Sequence, residues 1–191
     1  MKGNSVKRRG SQSGLTLHEL MISVAIVTIL LSLAAPSYSQ FLSKRKVAGA
    51  ANLIGMYVEN IKMQAIKRNE FISISYQKNE AGTQWCIGAT SGNGNPCDCL
   101  AETPQCLIDA APSILSEALH PEFSRIAANF VEGTMTFDPV RGILSDPGNA
   151  MSMQIRHEAD DYQVNISVNA TGTVRKCTPA GLELVGYPAC I

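Results

Sequence analysis

The side chains of this sequence that could do chemistry are one carboxylate inside an apolar run, six cysteines and three histidines. Glu19, with His18 beside it, stands near the head of "SGLTLHELMISVAIVTILL", residues 13–31. A carboxylate in hydrocarbon costs about 2.5–3.5 kcal/mol at mid-bilayer, less near the interface, unless a charge answers it. Glu19 is therefore a candidate for an ion pair. Cys97-Asp98-Cys99 with Cys106 and Cys86 could be drawn as a zinc site, but the spacing lacks the C-x₂-C pairs usual for structural zinc. No metal is expected. His18, His120 and His157 are isolated, and the sequence holds no nucleophile elbow, phosphate loop or H-E-x-x-H motif. His157-Glu158 beside Asp160-Asp161 reads as a solvated strand end and turn. Neither an enzyme nor a cofactor is expected.

These residues need elements to hold them. The chain has 191 residues, 45% hydrophobic and 17% charged, which predicts a folded protein of one or two domains. Its net charge is zero, but Lys2, Lys7, Arg8 and Arg9 lie in an acid-free stretch of 14 residues. The remainder carries about −4, so the body is not a general polyanion binder. Leu15 to Ala35 is a run of 21 mostly apolar residues closed by Pro36, long enough to cross about 30 Å of hydrocarbon. The basic leader should stay in the cytoplasm and send everything after Pro36 to the other side. A cleaved secretory signal ending near Ala35-Pro36-Ser37, or a plain signal anchor, would also be basic then apolar. Neither accounts for Glu19 or for the Gly14 junction.

The conjunction of basic leader, Gly14, an apolar run with Glu at its fifth position and Pro36 resembles the signal of type IV prepilins and type II secretion pseudopilins. The resemblance implies cleavage after Gly14 by a prepilin peptidase, with Leu15 as the new, N-methylated and cationic N-terminus. It implies that Glu19 of an incoming subunit pairs with the N-terminus of a neighbour during filament assembly. In a low-dielectric setting such a pair acts as a register device more than as a source of stability. Leu15 replaces the usual Phe, and His18 replaces the usual aliphatic residue without a ready explanation.

Beyond Pro36 the apolar positions Val47, Ala51, Ile54, Val58, Ile61 and Ala65 recur at steps of three and four, one stripe of a helix. A single helix over 15–69 would be 55 residues and about 80 Å long, with its transmembrane half at 15–35. Pro36 should kink it. From Phe71 the period becomes two: "FISISYQ" and "TQWCIGA" read as strands, and residues 91–106 as a Cys-rich loop. "APSILSEALH" reads as a short helix or turn. "FSRIAANFV", "GTMTFDPVRGIL" and "AMSMQIRHEADDYQVNISVNATGTVRKC" read as successive strands. The expectation is an α+β, pilin-like fold in three parts. These are a leader over 1–14, a helix over 15–69, and one antiparallel β domain over 70–191 that is periplasmic or extracellular.

"TMTFDPVRG" with "YQVNISVNATGTVRKC" resembles the GspH/FimT group of minor pilins and pseudopilins, and "WCIG" before the Cys-rich loop points to the type IV pilus branch. On the oxidising side of a membrane the six cysteines should form bridges. Six allow 15 connectivities; the adopted set is Cys177–Cys190, Cys86–Cys99 and Cys97–Cys106. Some members of the group grip DNA through a terminal G-R-x-R segment. The matching positions here are Gly172, Thr173, Val174 and Arg175, so the first arginine is missing, and only Lys176 adds a charge next door. Two cations without an aromatic neighbour make a weak site. The function expected is a minor pilin that helps initiate or cap a type IV pilus. It would be single-pass in the inner membrane, N-terminus cytoplasmic before processing, and then part of the filament. The expected partners are the prepilin peptidase and other major and minor pilins. A type II secretion pseudopilin and a DNA-uptake receptor are the alternatives, with DNA ranked below filament partners.

Overall fold

The computed structural model describes residues 14, 16–116, 118–120, 124–158, 162–182 and 184–190, with residues 33–36 described only as helix backbone. The leader up to residue 13, Leu15, the bend expected at Pro36 and the turn expected at Asp160-Asp161 lie outside the described residues. The chain forms two compact units, Met1–Ser39 and Gln40–Ile191. They share one element, helix α1 (Leu17–Arg68).

In the first unit α1 has no core of its own. Ten apolar side chains from Leu17 to Leu31 are between 47% and 81% exposed, so every face of the helix is oily. The hydroxyls in this stretch do not spoil that surface. Ser23 donates to the Glu19 carbonyl, Thr28 to that of Val24 and Ser32 to that of Ile29, each at 2.7 Å. A hydroxyl bonded back to its own helix presents little unsatisfied polarity to an apolar solvent. No single helix among the described residues is long and apolar enough to cross a membrane. Leu17–Ser32 and Ser37–Arg68, taken as a pair broken at residues 33–36, meet that test by length and composition.

In the second unit α1 becomes amphipathic. Val47, Ala50, Ala51, Ile54, Val58, Ile61 and Ala65 are all buried, on one stripe and in one core with the strands. The helix stops in a Schellman motif. Asn69 adopts φ 53°, its N–H reaches the Ile66 carbonyl at 3.2 Å, and the Glu70 N–H reaches that of Ala65 at 3.2 Å.

Among the described residues ten strands follow: β1 (Ile72–Lys78), β2 (Trp85–Ser91), β3 (Leu107–Ile108), β4 (Ala111–Pro112), β5 (Ile114–Ser116), β6 (Ile126–Phe130), β7 (Gly133–Phe137), β8 (Ser152–His157), β9 (Gln163–Val168) and β10 (Val174–Cys177). They make two four-stranded sheets, ordered β5-β2-β1-β7 and β10-β9-β8-β6, and the β3-β4 ribbon. All named pairs are antiparallel. The fold is thus α+β, a helix on antiparallel sheets. Sheet one is buried on both faces along β1, whereas β8 alternates outward and inward residue by residue.

"APSILSEALH" is not a helix over its described residues. Asp109 and Ala110 take positive φ (49° and 62°) and fold β3 onto β4. The backbone of Ser113 then bonds in two directions, donating to the Cys106 carbonyl and accepting from the Ala89 N–H, both at 2.9 Å. Those bonds leave nothing for a helical turn, and Ile114–Ser116 extends as an edge strand on β2. "GTMTFDPVRGIL" also breaks earlier than its pattern. β7 ends at Phe137, where Asp138 Oδ1 accepts from the Val140 and Arg141 N–H groups at 2.8 and 2.9 Å and turns the chain.

Candidate functional site

Thr16 is the N-cap of α1. Its Oγ1 accepts from the Glu19 N–H at 3.3 Å, and its carbonyl accepts from the Leu20 N–H at 3.1 Å. Thr16-x-x-Glu19 is therefore a capping-box pattern, a signal present in the sequence and passed over there. The glutamate sits in the first helical turn, where the helix dipole favours negative charge. It is exposed, as are His18, Leu20, Met21 and Ile22 around it. Apart from His18 beside it, no other acidic or basic side chain occurs on α1 until Lys44. The arrangement is one fixed carboxylate at the end of a mostly apolar rod, chemically suited to receive a single cation. Gly14, two residues before the cap, is exposed, and a Cβ added there would meet nothing within 4 Å.

The structure joins Cys86 to Cys99, Cys97 to Cys106 and Cys177 to Cys190, the set adopted from the sequence, with Cα separations of 5.9, 5.2 and 4.9 Å. The first two lie side by side as a separate small core and staple the Cys-rich loop to β2. Gly88, two residues along β2 from Cys86, makes this possible. A Cβ there would stand 2.9 Å from Cys97 Sγ and closer still to Cys106 Sγ. Gln77 on β1 finishes the staple by accepting from the Cys99 N–H at 2.9 Å.

The two glycines of the β-domain motifs meet. Gly142 (φ 63°) ends the turn after β7, and Gly172 (φ 69°) lies in the β9–β10 turn. A Cβ on Gly172 would stand 2.7 Å from the Gly142 carbonyl oxygen and 2.9 Å from Phe137 Cε1. Lys62, reaching up from α1, donates to the carbonyls of Thr171 (3.3 Å) and Gly172 (3.2 Å). Leu144 donates to the Ala170 carbonyl at 3.0 Å. One lysine and two side-chain-free positions thus tie helix, first sheet and second sheet together. The sequence offered no local sign of Lys62, because its partners lie more than 100 positions away.

Arg175 and Lys176 do not form one site. Adjacent residues of a strand point to opposite faces, and β10 obeys. Lys176 turns towards α1, where its Nζ donates to Asn52 Oδ1 at 2.8 Å beside Gly55. Arg175 is exposed on the other face, paired in register with Ser167. The cation pair expected for phosphate contact is split, and its lysine is a structural tie to the helix.

Comparison with known proteins gives these features a family. The model of the type II transport protein GspH matches residues 50–172, and the prokaryotic N-terminal methylation motif matches residues 9–35. The chain belongs to the GspH family of minor pilins and pseudopilins, whose members are structural subunits, and the methylation motif makes it a membrane-anchored one. An uncharacterised protein of Haemophilus influenzae is 33% identical over 89 residues, 47% of this chain and 52% of that one. The chain thus spans about half the length of this curated relative. Among solved structures, the type IV minor pilin FimU of Pseudomonas aeruginosa is 20% identical, with a TM-score of 0.46 over 75% of this chain and 99% of that one. The minor pseudopilin EpsH of the Vibrio cholerae type 2 secretion system is 11% identical, with a TM-score of 0.45 over 71% of this chain and 98% of that one.

Proposed function

We propose that the protein is a minor pilin of a type IV pilus, a structural subunit that helps to initiate or cap assembly. The observation that carries this reading is the lone carboxylate of Glu19, set by Thr16 at the head of an apolar helix half whose described side chains are exposed. In this reading the leader over 1–14 is cut after Gly14, and Leu15 becomes the methylated amine that Glu19 of another subunit receives. Residues 15–35 hold the subunit in the inner membrane as a single span, with the β domain outside. The "WCIG" strand with its doubly stapled loop favours the pilus branch. A type II secretion pseudopilin is the second reading, favoured by the family model that matches. A chromosomal deletion separates the two readings: loss of surface pili with normal exoprotein secretion supports the first, and the converse supports the second. Within either, Glu19→Ala should leave the protein cleaved and inserted but poorly recovered in filaments. Wild-type recovery of that variant in sheared filaments, at equal expression, would remove the pairing role.

A further inference from the structure

The outward face of the second sheet carries a pattern that the proposed pairing of Glu19 does not involve. Register places Arg156 opposite Gln163, Gln154 between Asn129 and Asn165, and Ser167 between Ser152 and Arg175. All these residues alternate with the buried ones and so share one face. Apart from the buried Ala127 and the bridged Cys177, the strand positions of this face are polar and include two arginines; the exposed Glu158, which continues the pairing with β6 just past the end of β8, is the carboxylate next to Arg156.

The amides are oriented in two relays. Lys78 Nζ donates to Asn129 Oδ1 (3.2 Å), and Asn129 Nδ2 donates to Gln154 Oε1 (3.4 Å). Gln163 Nε2 donates to Asn165 Oδ1 (2.7 Å), and Asn165 Nδ2 lies 3.6 Å from Cys190 Sγ. The relays use the oxygens of Asn129, Gln154 and Asn165, and leave the Gln154 N–H₂ group and the Gln163 carbonyl to meet a ligand. At one end a cavity of about 330 Å³ opens between the β1–β2 turn and the sheet, lined by Lys78, Glu80, Asn129, Gln154, Arg156 and Gln163, two cations to one carboxylate.

We infer that this face binds an acidic saccharide, a hydroxyl-rich chain with a carboxylate on each ring. Arginine forks suit carboxylates, and amides that both donate and accept suit hydroxyls. Arg175 lies two strands across and four residues along from Arg156, about 17 Å away from strand spacing and rise. A chain with one carboxylate per ring can set two of them at that separation, with hydroxyls over the amides between them. DNA, with one charge per ~1.7 Å of duplex, needs a denser row of cations than these two.

The test titrates the full-length protein in detergent with polygalacturonate and with its fully methyl-esterified form. Polygalacturonate should bind, and the ester about tenfold more weakly or worse. Arg156→Gln and Arg175→Gln should each weaken binding about tenfold, the loss of one charge-assisted contact. The double variant should not bind, and Lys67→Gln, a cation off this face, should bind as wild type. Both arginines are exposed, so melting temperatures should not change. No binding, equal binding of the ester, or a double variant that still binds would overturn the inference. So would tighter binding of a single-stranded oligonucleotide than of polygalacturonate at equal charge, which would assign the face to nucleic acid.

Discussion

Substituting Gly172 tests how the family's β-domain glycines work. Gly172→Ala faces two separate costs. An L-residue at φ 69° loses about 1–2 kcal/mol to the left-handed conformation. The new methyl would also stand 2.7 Å from the Gly142 carbonyl and 2.9 Å from Phe137, which is wholly buried and cannot swing aside. Forcing one carbon into such a site costs about 1–3 kcal/mol more. Gly181 supplies the control, since its φ is 84° but a Cβ there would meet nothing within 4 Å. Gly181→Ala should therefore show the conformational cost alone. At about 2–4 °C per kcal/mol for a domain of this size, Gly181→Ala should melt a few degrees low and Gly172→Ala about 5–15 °C low. Thermal unfolding by circular dichroism, on proteins with all three disulfides intact, reads both. Equal shifts for the two variants would mean that the close approach of Gly172 to Gly142 and Phe137 contributes nothing to stability.

The staple makes a parallel case. Gly88→Ala should displace the Cys97–Cys106 bridge, and a thiol count above zero in the purified variant should accompany a loss of about 2–3 kcal/mol, the constraint of one short loop. A fully oxidised variant melting at the wild-type temperature would contradict it. Burial pushes the Tyr57 hydroxyl up to about 12, against a smaller opposing pull from its bond to Ser113. A phenol whose folded pKa is raised favours the neutral form, so its stability is complete below pH 10 and falls as pH rises through 12. About 2–3 kcal/mol should disappear across that window, and Tyr57→Phe should flatten this part of the pH–stability curve; an unchanged slope would count against it. Mass spectrometry of the mature chain should find Leu15 at its N-terminus and, in a Gly14→Trp variant, an uncut precursor; a start at Ser37 or Tyr38 would indicate a secretory signal instead.

What could be read from the sequence, and what could not, divides by range. The stripe from Val47 to Ala65 is a local periodicity and emerges as the buried face expected of it. "FISISYQ", whose apolar and polar residues alternate, is instead buried on both faces, with the Ser73 hydroxyl covered and hydrogen-bonded by Thr136 of β7. Local patterns failed where distant groups took over the backbone. Ser113 sits in a stretch with a plausible helix pattern, yet Cys106 and Ala89 claim its N–H and carbonyl. The same holds for charge. Arg175 and Lys176 look like one cationic patch because they are neighbours in the chain. The strand sends them apart, and Asn52, 124 positions away, takes the lysine. Neighbours across the sheet were invisible for the same reason: Arg156 and Arg175 face the same way only once β8, β9 and β10 are in register.

That separation bears on how one small domain can serve a filament and still meet a ligand. Four side-chain ties join α1 to the rest of the second unit: Lys62 to the β9–β10 turn, Lys176 to Asn52, Tyr57 to Ser113 and Tyr187 to the Ala48 carbonyl at 3.1 Å. Among the described residues, the outward face of the second sheet contributes to none of them. Substitutions there change a surface without touching the packing that fixes the helix, because side chains on opposite faces of a strand couple weakly. The prediction is additivity. Arg156→Gln combined with Glu19→Ala should show the filament defect of one and the binding defect of the other, each at its single-variant size. Departure from additivity beyond about 0.5 kcal/mol in the affinity of Arg156→Gln for polygalacturonate, with and without Glu19→Ala, would show instead that assembly helix and sheet face act as one site.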